Sequence, residues 1–183
     1  MHKNQAVFLD RDGVLNRVIL RDGKPFPPSN VEETEILPGV SEALIDLKKA
    51  GFLLIVVSNQ PDVARGTTTK ATVESINAYL ADQLVVDDFK MCYHDSGDGC
   101  ACRKPRPGML LDAAKKYDID LLKSYMIGDR WRDVEAGIAA NCRTVFIDYS
   151  YNEERPKCFD FCTDSLLKAA NYILEREQRY EKD

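Results

Sequence analysis

The sequence predicts an α/β fold, a doubly wound and mostly parallel sheet with helices on both faces. Three observations carry that expectation. Short apolar runs alternate with amphipathic stretches along the 183 residues. The runs, "FLLIVV" above all, are apolar without interruption, as strands buried on both faces are. Helix-length segments separate the strand candidates, as parallel neighbours require.

The elements follow in order. "AVFLD" reads as the first strand, and "GVSEALIDLKKAG" as a helix that Gly51 closes. "FLLIVVS" is the second strand, and "TTTKATVESINAYLADQL" a helix opened by a threonine cap. "FKMCYH" is a strand, and "PGMLLDAAKKYD" a helix with Pro107 near its first turn. "SYMIGD", "RWRDVEAGIAAN" and "RTVFID" give strand, helix and strand. "TDSLLKAANYILEREQRYEKD" is a closing helix whose charged end frays into solvent. No repeat, low-complexity tract or linker interrupts the series, and residues 1–183 are expected to form a single domain.

Composition narrows the function. A net charge of −5 and a pI near 5.2 offer no broad cationic field for nucleic acid. No signal peptide opens the chain and no apolar run reaches the roughly 18 residues of a membrane span. A cytoplasmic protein with no membrane or nucleic-acid partner is expected.

In this architecture ligands gather where parallel strands end. The polar residues there are Asp10 and Asp12, then Ser58, Asn59 and Gln60, then Asp129 and Asp133, with Lys104 in "CRKPRPGM" before a helix. Clustered carboxylates suit Mg2+, a hard cation that takes oxygen ligands and relieves their repulsion. A hydroxyl and an ammonium beside them suit a phosphoryl group.

A second constellation, "CYHDSGDGCACRKP", spaces Cys92, His94, Cys100 and Cys102 as C-x-H-x5-C-x-C. Three thiols and an imidazole within residues 92–102 match tetrahedral Zn2+. With all four positions filled by protein, the ion would be structural, supplying folding energy that a polar loop lacks. Cys142, Cys158 and Cys162 read as buried or incidental, and His2 lies too near the terminus for a role.

Together, "FLDRDGVLN", "VVSNQ", "RKPRPGM" and "IGDRWRD" resemble, in order, the four signature motifs of the haloacid dehalogenase superfamily of phosphohydrolases. Within it the chain resembles the D-glycero-D-manno-heptose 1,7-bisphosphate phosphatase and histidinol-phosphate phosphatase group, over roughly residues 6–148. The resemblance implies a Rossmann-like sheet and a Mg2+-dependent phosphomonoesterase. It implies that Asp10 is the nucleophile that becomes an aspartyl-phosphate and that Asp12 is the general acid and base, a role suited to a carboxyl with a raised pKa. Ser58 and Lys104 would hold the phosphoryl oxygens. Mg2+ would sit on the side chains of Asp10 and Asp129 and the carbonyl of Asp12, Asp133 acting through water or from behind them. Asn59 and Arg103 would meet the substrate. The group also carries a similar zinc loop, which here would position Arg103 and Lys104.

Neither gap between motifs holds a large cap domain. The first, "RVILRDGKPFPPSNVEETEILP", reads as a Pro-rich loop, with residues 24–30 a candidate selector, and the second as the zinc loop. An open site suits a phosphate on a sugar or polyol, and Arg17, Arg21 and Arg65 are candidates for a second phosphate. A sugar bisphosphate is the leading substrate and histidinol phosphate the next. A polynucleotide 3'-phosphatase or a non-enzymatic phosphoacceptor are remoter readings.

Overall fold

The computed structural model describes residues 3–180. His2 and the chain beyond Tyr180, including the end expected to fray, lie outside them. Strands β1 (Ala6–Leu9), β4 (Leu53–Asn59), β5 (Asp88–Cys92), β6 (Tyr125–Gly128), β7 (Arg143–Ile147) and β8 (Phe161–Thr163) form one parallel sheet in the order β5-β4-β1-β6-β7-β8. Helices α1 (Val40–Lys49), α2 (Lys70–Gln83), α3 (Gly108–Tyr117), α4 (Trp131–Ala139) and α5 (Leu166–Tyr180) cover it. This is the α/β architecture that the apolar runs predict.

Strand pleating explains why those runs carry no polar alternation. Successive side chains leave opposite faces of a strand. Val7, Leu9, Leu54, Val56, Tyr125 and Ile127 enter one core with residues of α1, α2 and α5. Ala6, Phe8, Ile55, Val57 and Met126 enter a second with residues of α3 and α4. Each fully buried side chain of this size contributes about 1.5–3 kcal/mol, so both faces must be apolar.

Local signals set the boundaries. The Thr69 hydroxyl accepts from the Thr72 N–H at 3.1 Å and caps α2. Gly51 takes φ +91 just past α1, a conformation that closes the helix without a Cβ penalty. No helix of the described residues is long and apolar enough to cross a membrane.

Two elements differ from expectation. The Pro-rich first gap contains an antiparallel hairpin, β2 (Ile19–Arg21) and β3 (Lys24–Phe26). Asp22 and Gly23 turn it with φ of 51° and 73°, the left-handed pair that tight hairpins favour. The segment reads as a Pro-rich loop, yet Pro25 is tolerated in this two-stranded ribbon. Strand β8 is only three residues long and half-buried at the sheet edge, too short for periodicity to reveal.

Candidate active site

Asp10 stands directly after the central strand. Leu9 pairs with Val56 of β4 and with Ile127 of β6, and the Asp10 N–H donates to the Ile127 carbonyl at 3.0 Å. Its Oδ1 accepts from the Arg11 N–H at 2.8 Å and from Lys104 Nζ at 2.9 Å. Lys104 is 2% exposed, and its ammonium also donates to the Val57 carbonyl and to Asp133 Oδ1, each at 2.6 Å. Asp133 lies in the first turn of α4, where its Oδ2 accepts from the Arg130 N–H at 3.0 Å. Asp129 follows β6 by one residue. The polar residues singled out at three strand ends and Lys104 thus meet at one point.

The electrostatics of that point are anionic. Burial, reinforced by Asp133, pushes the Asp10 carboxyl up to about 6, although Lys104 pulls it back. Burial, Asp10 and Asp133 hold the Asp129 carboxyl well above the usual carboxylate range. Burial works against the Lys104 ammonium, but the two aspartates outweigh it and its pKa rises. Three buried carboxylates therefore face one ammonium.

That surplus fits a divalent cation. Both oxygens of Asp129 are buried and accept no hydrogen bond, the Tyr151 hydroxyl bearing on its charge from outside bonding geometry. One oxygen each from Asp10, Asp129 and Asp133 lies within 4.8 Å of the others. Carboxylates without donors are what a hard cation takes as ligands. Both oxygens of Asp133 are already engaged, by Lys104 and by the helix N-terminus, which suits a supporting carboxylate. Gly13, at φ +89, completes the cradle, because a Cβ there would fall on the Asp129 carboxylate.

Asp12 is held in a network that the sequence did not reveal. Its carboxylate accepts from Arg11 Nε at 3.2 Å and NH2 at 3.0 Å, from Asn16 Nδ2 at 3.0 Å and from Gln60 Nε2 at 2.8 Å. The Gln60 amide donates also to Ser58 Oγ at 3.0 Å, joining the two strand ends. Arg11 is fully buried, and its third contact is Asn77 Oδ1 on α2 at 2.9 Å. A buried guanidinium needs partners, but Arg11 reads in sequence as a filler between two aspartates. Gln60 stands at the same strand end, and its position next to Asn59 is the signal in the sequence that points to it.

Asn59 and Arg103, the expected substrate contacts, line the cleft, but much of their polarity is already engaged. The Asn59 amide exchanges hydrogen bonds with the backbone of Lys104. Arg103 donates to the carbonyl of His94 at 3.1 Å, and so hangs from the cysteine-rich loop.

That loop brings its four expected ligands together. Cys92 Sγ lies 3.1 Å from Cys102 Sγ and 3.7 Å from both Cys100 Sγ and His94 Nδ1, and all four donor atoms fall within 4.8 Å. Two sulfurs, a third, and an imidazole nitrogen converging on one point form the donor set of a tetrahedral zinc site. Burial pushes the Cys92 thiol up and that of Cys102 to about 12, so metal binding there must displace protons. Cys142 is buried, Cys162 partly so, and Cys158 exposed, none of them in the cluster.

Above the carboxylates opens a cleft of about 250 Å³. Lys24, Pro25 and Phe26 of the hairpin form part of its lining, with Arg65, Arg103 and Arg132. Of the candidate distal arginines, Arg65 lines it. Arg17 instead pairs with Glu35 at 2.8 Å, and Arg21 lies over the Phe26 ring at 5.2 Å. The hairpin is fastened by the Asn152 N–H, which donates to the Gly23 carbonyl at 2.9 Å.

Comparison with known proteins agrees with this geometry. Residues 101–159 match the HAD-hydrolase-like family. The chain is 40% identical to the D-glycero-beta-D-manno-heptose-1,7-bisphosphate 7-phosphatase of Escherichia coli (strain K12), covering 94% of this chain and 95% of that one. The enzyme of the same description from Helicobacter pylori is 34% identical, over 90% and 95%. The crystal structure of D,D-heptose 1,7-bisphosphate phosphatase from B. bronchiseptica, complexed with magnesium and phosphate, aligns with a TM-score of 0.79 at 33% identity, over 94% and 99%. With four motifs, one carboxylate cluster and near full-length relatives in agreement, the chain belongs to the haloacid-dehalogenase-like phosphatases, in the heptose bisphosphate phosphatase group.

Proposed function

We propose that the protein hydrolyses the 7-phosphate of a sugar bisphosphate such as D-glycero-D-manno-heptose 1,7-bisphosphate, as a single domain in the cytoplasm, where its thiols stay reduced. The observation that carries the chemistry is the Lys104 ammonium bonded to Asp10 at 2.9 Å and Asp133 at 2.6 Å beneath the cleft. The names of the relatives support the substrate.

In the first step an oxygen of Asp10 attacks phosphorus, the bond to the sugar oxygen breaks, and Asp12 gives that oxygen a proton. Asp12 then takes a proton from water, which attacks the aspartyl-phosphate, releases phosphate and restores Asp10. The contacts of Asp12 with Arg11, Asn16 and Gln60 set the position from which its carboxylate works. Ser58 and Lys104 bind the transferring oxygens, with Asn59 keeping Lys104 in place. Asp10, Asp129 and the carbonyl of Asp12 would hold Mg2+, which supplies neutralising charge when bound. Cys92, His94, Cys100 and Cys102 would hold a structural zinc ion.

The test is phosphate release with Mg2+ across the heptose bisphosphate, histidinol phosphate, other sugar phosphates and a 3'-phosphorylated oligonucleotide. Preference for the bisphosphate is expected; preference for histidinol phosphate would transfer the reading to that substrate. Asp10→Asn should end turnover with the fold retained, and near-normal turnover would exclude the aspartyl-phosphate.

A further inference from the structure

The charges lining the cleft do not all cancel. Lys104 pairs with Asp10 and Asp133, Asp12 with Arg11, Arg130 with Glu153 at 2.5 Å, and Arg65 with Asp95 at 2.7 Å and Asp62 at 3.3 Å. Among the described residues no acidic group forms an ion pair with Arg132 of α4 or with Lys24 of β3. Both line the same cleft, one from the helix that follows Asp129 and one from the hairpin.

Arg132 is moreover crowded by its own kind. Burial is the largest influence lowering its pKa, and Arg130 and Arg103 add to it, while Glu153 and Asp133 act in the opposite sense without winning. Its guanidinium lies 4.6 Å from the centroid of the Trp131 ring, a contact that fixes its plane but supplies no countercharge. Arg103 does little to relieve the crowding, because its firm contact is the neutral His94 carbonyl and its nearest acid, Asp95, is 3.8 Å away. A second groove continues past the zinc loop and shares Arg65, Arg103 and Arg132 with the first. Partly desolvated like charges are costly unless an anion completes them.

We infer that Arg132, assisted by Lys24 from the hairpin, binds the phosphate of the substrate that is not transferred. The inference rests on the sugar bisphosphate reading and deepens it. A guanidinium offers two parallel donors to two phosphate oxygens, while the ammonium adds a point charge. The transferred phosphate lies over Asp10, and the sugar spans the interval along Phe26. The same cations repel histidinol phosphate, whose far end carries an ammonium and an imidazole. Arg132 is thus a specificity residue, outside the chemical step.

The experiment compares kcat/KM for the heptose 1,7-bisphosphate and for the same sugar with only the 7-phosphate, in wild type, Arg132→Gln, Arg132→Lys and Lys24→Gln. The wild type should prefer the bisphosphate. Arg132→Gln should lower kcat/KM for the bisphosphate about 10- to 100-fold more than for the monophosphate, chiefly through KM, as loss of a charge-assisted contact does. Arg132→Lys should fall between, and Lys24→Gln should shift the ratio in the same direction by less. Turnover of the monophosphate reports that each variant is folded. A wild type without preference would overturn both the bisphosphate reading and this assignment. A wild-type preference that survives in Arg132→Gln, or an equal loss on both substrates, would overturn the assignment alone.

Discussion

Asn59 and Lys104, 45 positions apart, exchange two hydrogen bonds: the Asn59 amide donates to the Lys104 carbonyl at 2.9 Å and accepts from its N–H at 3.0 Å. The end of β4 thereby fixes the backbone whose ammonium reaches Asp10. Asn59→Ala should cost about 1–3 kcal/mol of stability, the penalty for unpaired buried polar groups. It should also lower kcat about tenfold or more with little change in KM. Asn59→Asp, which keeps the acceptor, should fall between. Thermal unfolding and steady-state kinetics check both; a rise in KM alone would place Asn59 on the substrate instead.

Gly13 admits no side chain. Its φ of +89 already disfavours alanine, and the added Cβ would displace the Asp129 carboxylate. Gly13→Ala should weaken Mg2+ binding and cut turnover about 100-fold or more, as misplacement of a reacting group does. Calorimetric titration of Mg2+ into the variant separates lost binding from a slowed step.

Protons and Mg2+ compete for the same oxygens. The folded-state pKa of Asp10 is raised to about 6 from 3.8, so the folded protein without metal holds a proton that the unfolded chain has released. Stability contributed by this group therefore falls as pH rises from about 4 to 6 and is flat above. Asp129, shifted in the same direction, adds to the trend. Added Mg2+ should raise Tm more at pH 7.5 than at pH 5, and its apparent affinity should fall on acidification through pH 6. An equal Tm increment at both pH values would contradict the competition.

Cys100→Ser removes one of four converging ligands. Zinc content, measured by elemental analysis, should drop, and the loop should lose protease resistance. Because Arg103 hangs from the His94 carbonyl, activity should fall too, and excess Mg2+ should not restore it. Full activity in a native protein that carries no zinc would overturn the structural metal.

The sequence made legible whatever depends on short-range pattern. Strands β1, β4 and β6 appeared because double burial leaves uninterrupted apolar runs, Asp10, Ser58 and Asp129 because they stand at strand ends, and Lys104 because it lies in the polar approach to a helix. Cys92, His94, Cys100 and Cys102 were visible as a donor set because they lie close together in the chain. What escaped depends on distant partners. Arg11 matters through Asn77, 66 positions away, and Gln60 through Asp12, 48 away. The hairpin escaped because the segment reads as a Pro-rich loop, although Asp22-Gly23 is a turn signal and a two-stranded ribbon has no ladder beyond Pro25 to break.

The hairpin also divides the molecule's evolutionary freedom. Asp10 follows directly on a strand clamped by neighbours on both sides, where almost any change disturbs two cores. Among the described residues the ribbon's strands pair only with each other, and its turn is tied to the remainder through the Gly23 carbonyl, which makes no demand on side-chain identity; Pro25 is its one buried side chain. Residues 19–26 therefore form an exchangeable cassette around a fixed Pro25. Relatives with different ribbons should differ in what they accept while sharing one catalytic rate limit, and transplanting a ribbon should carry substrate preference with it.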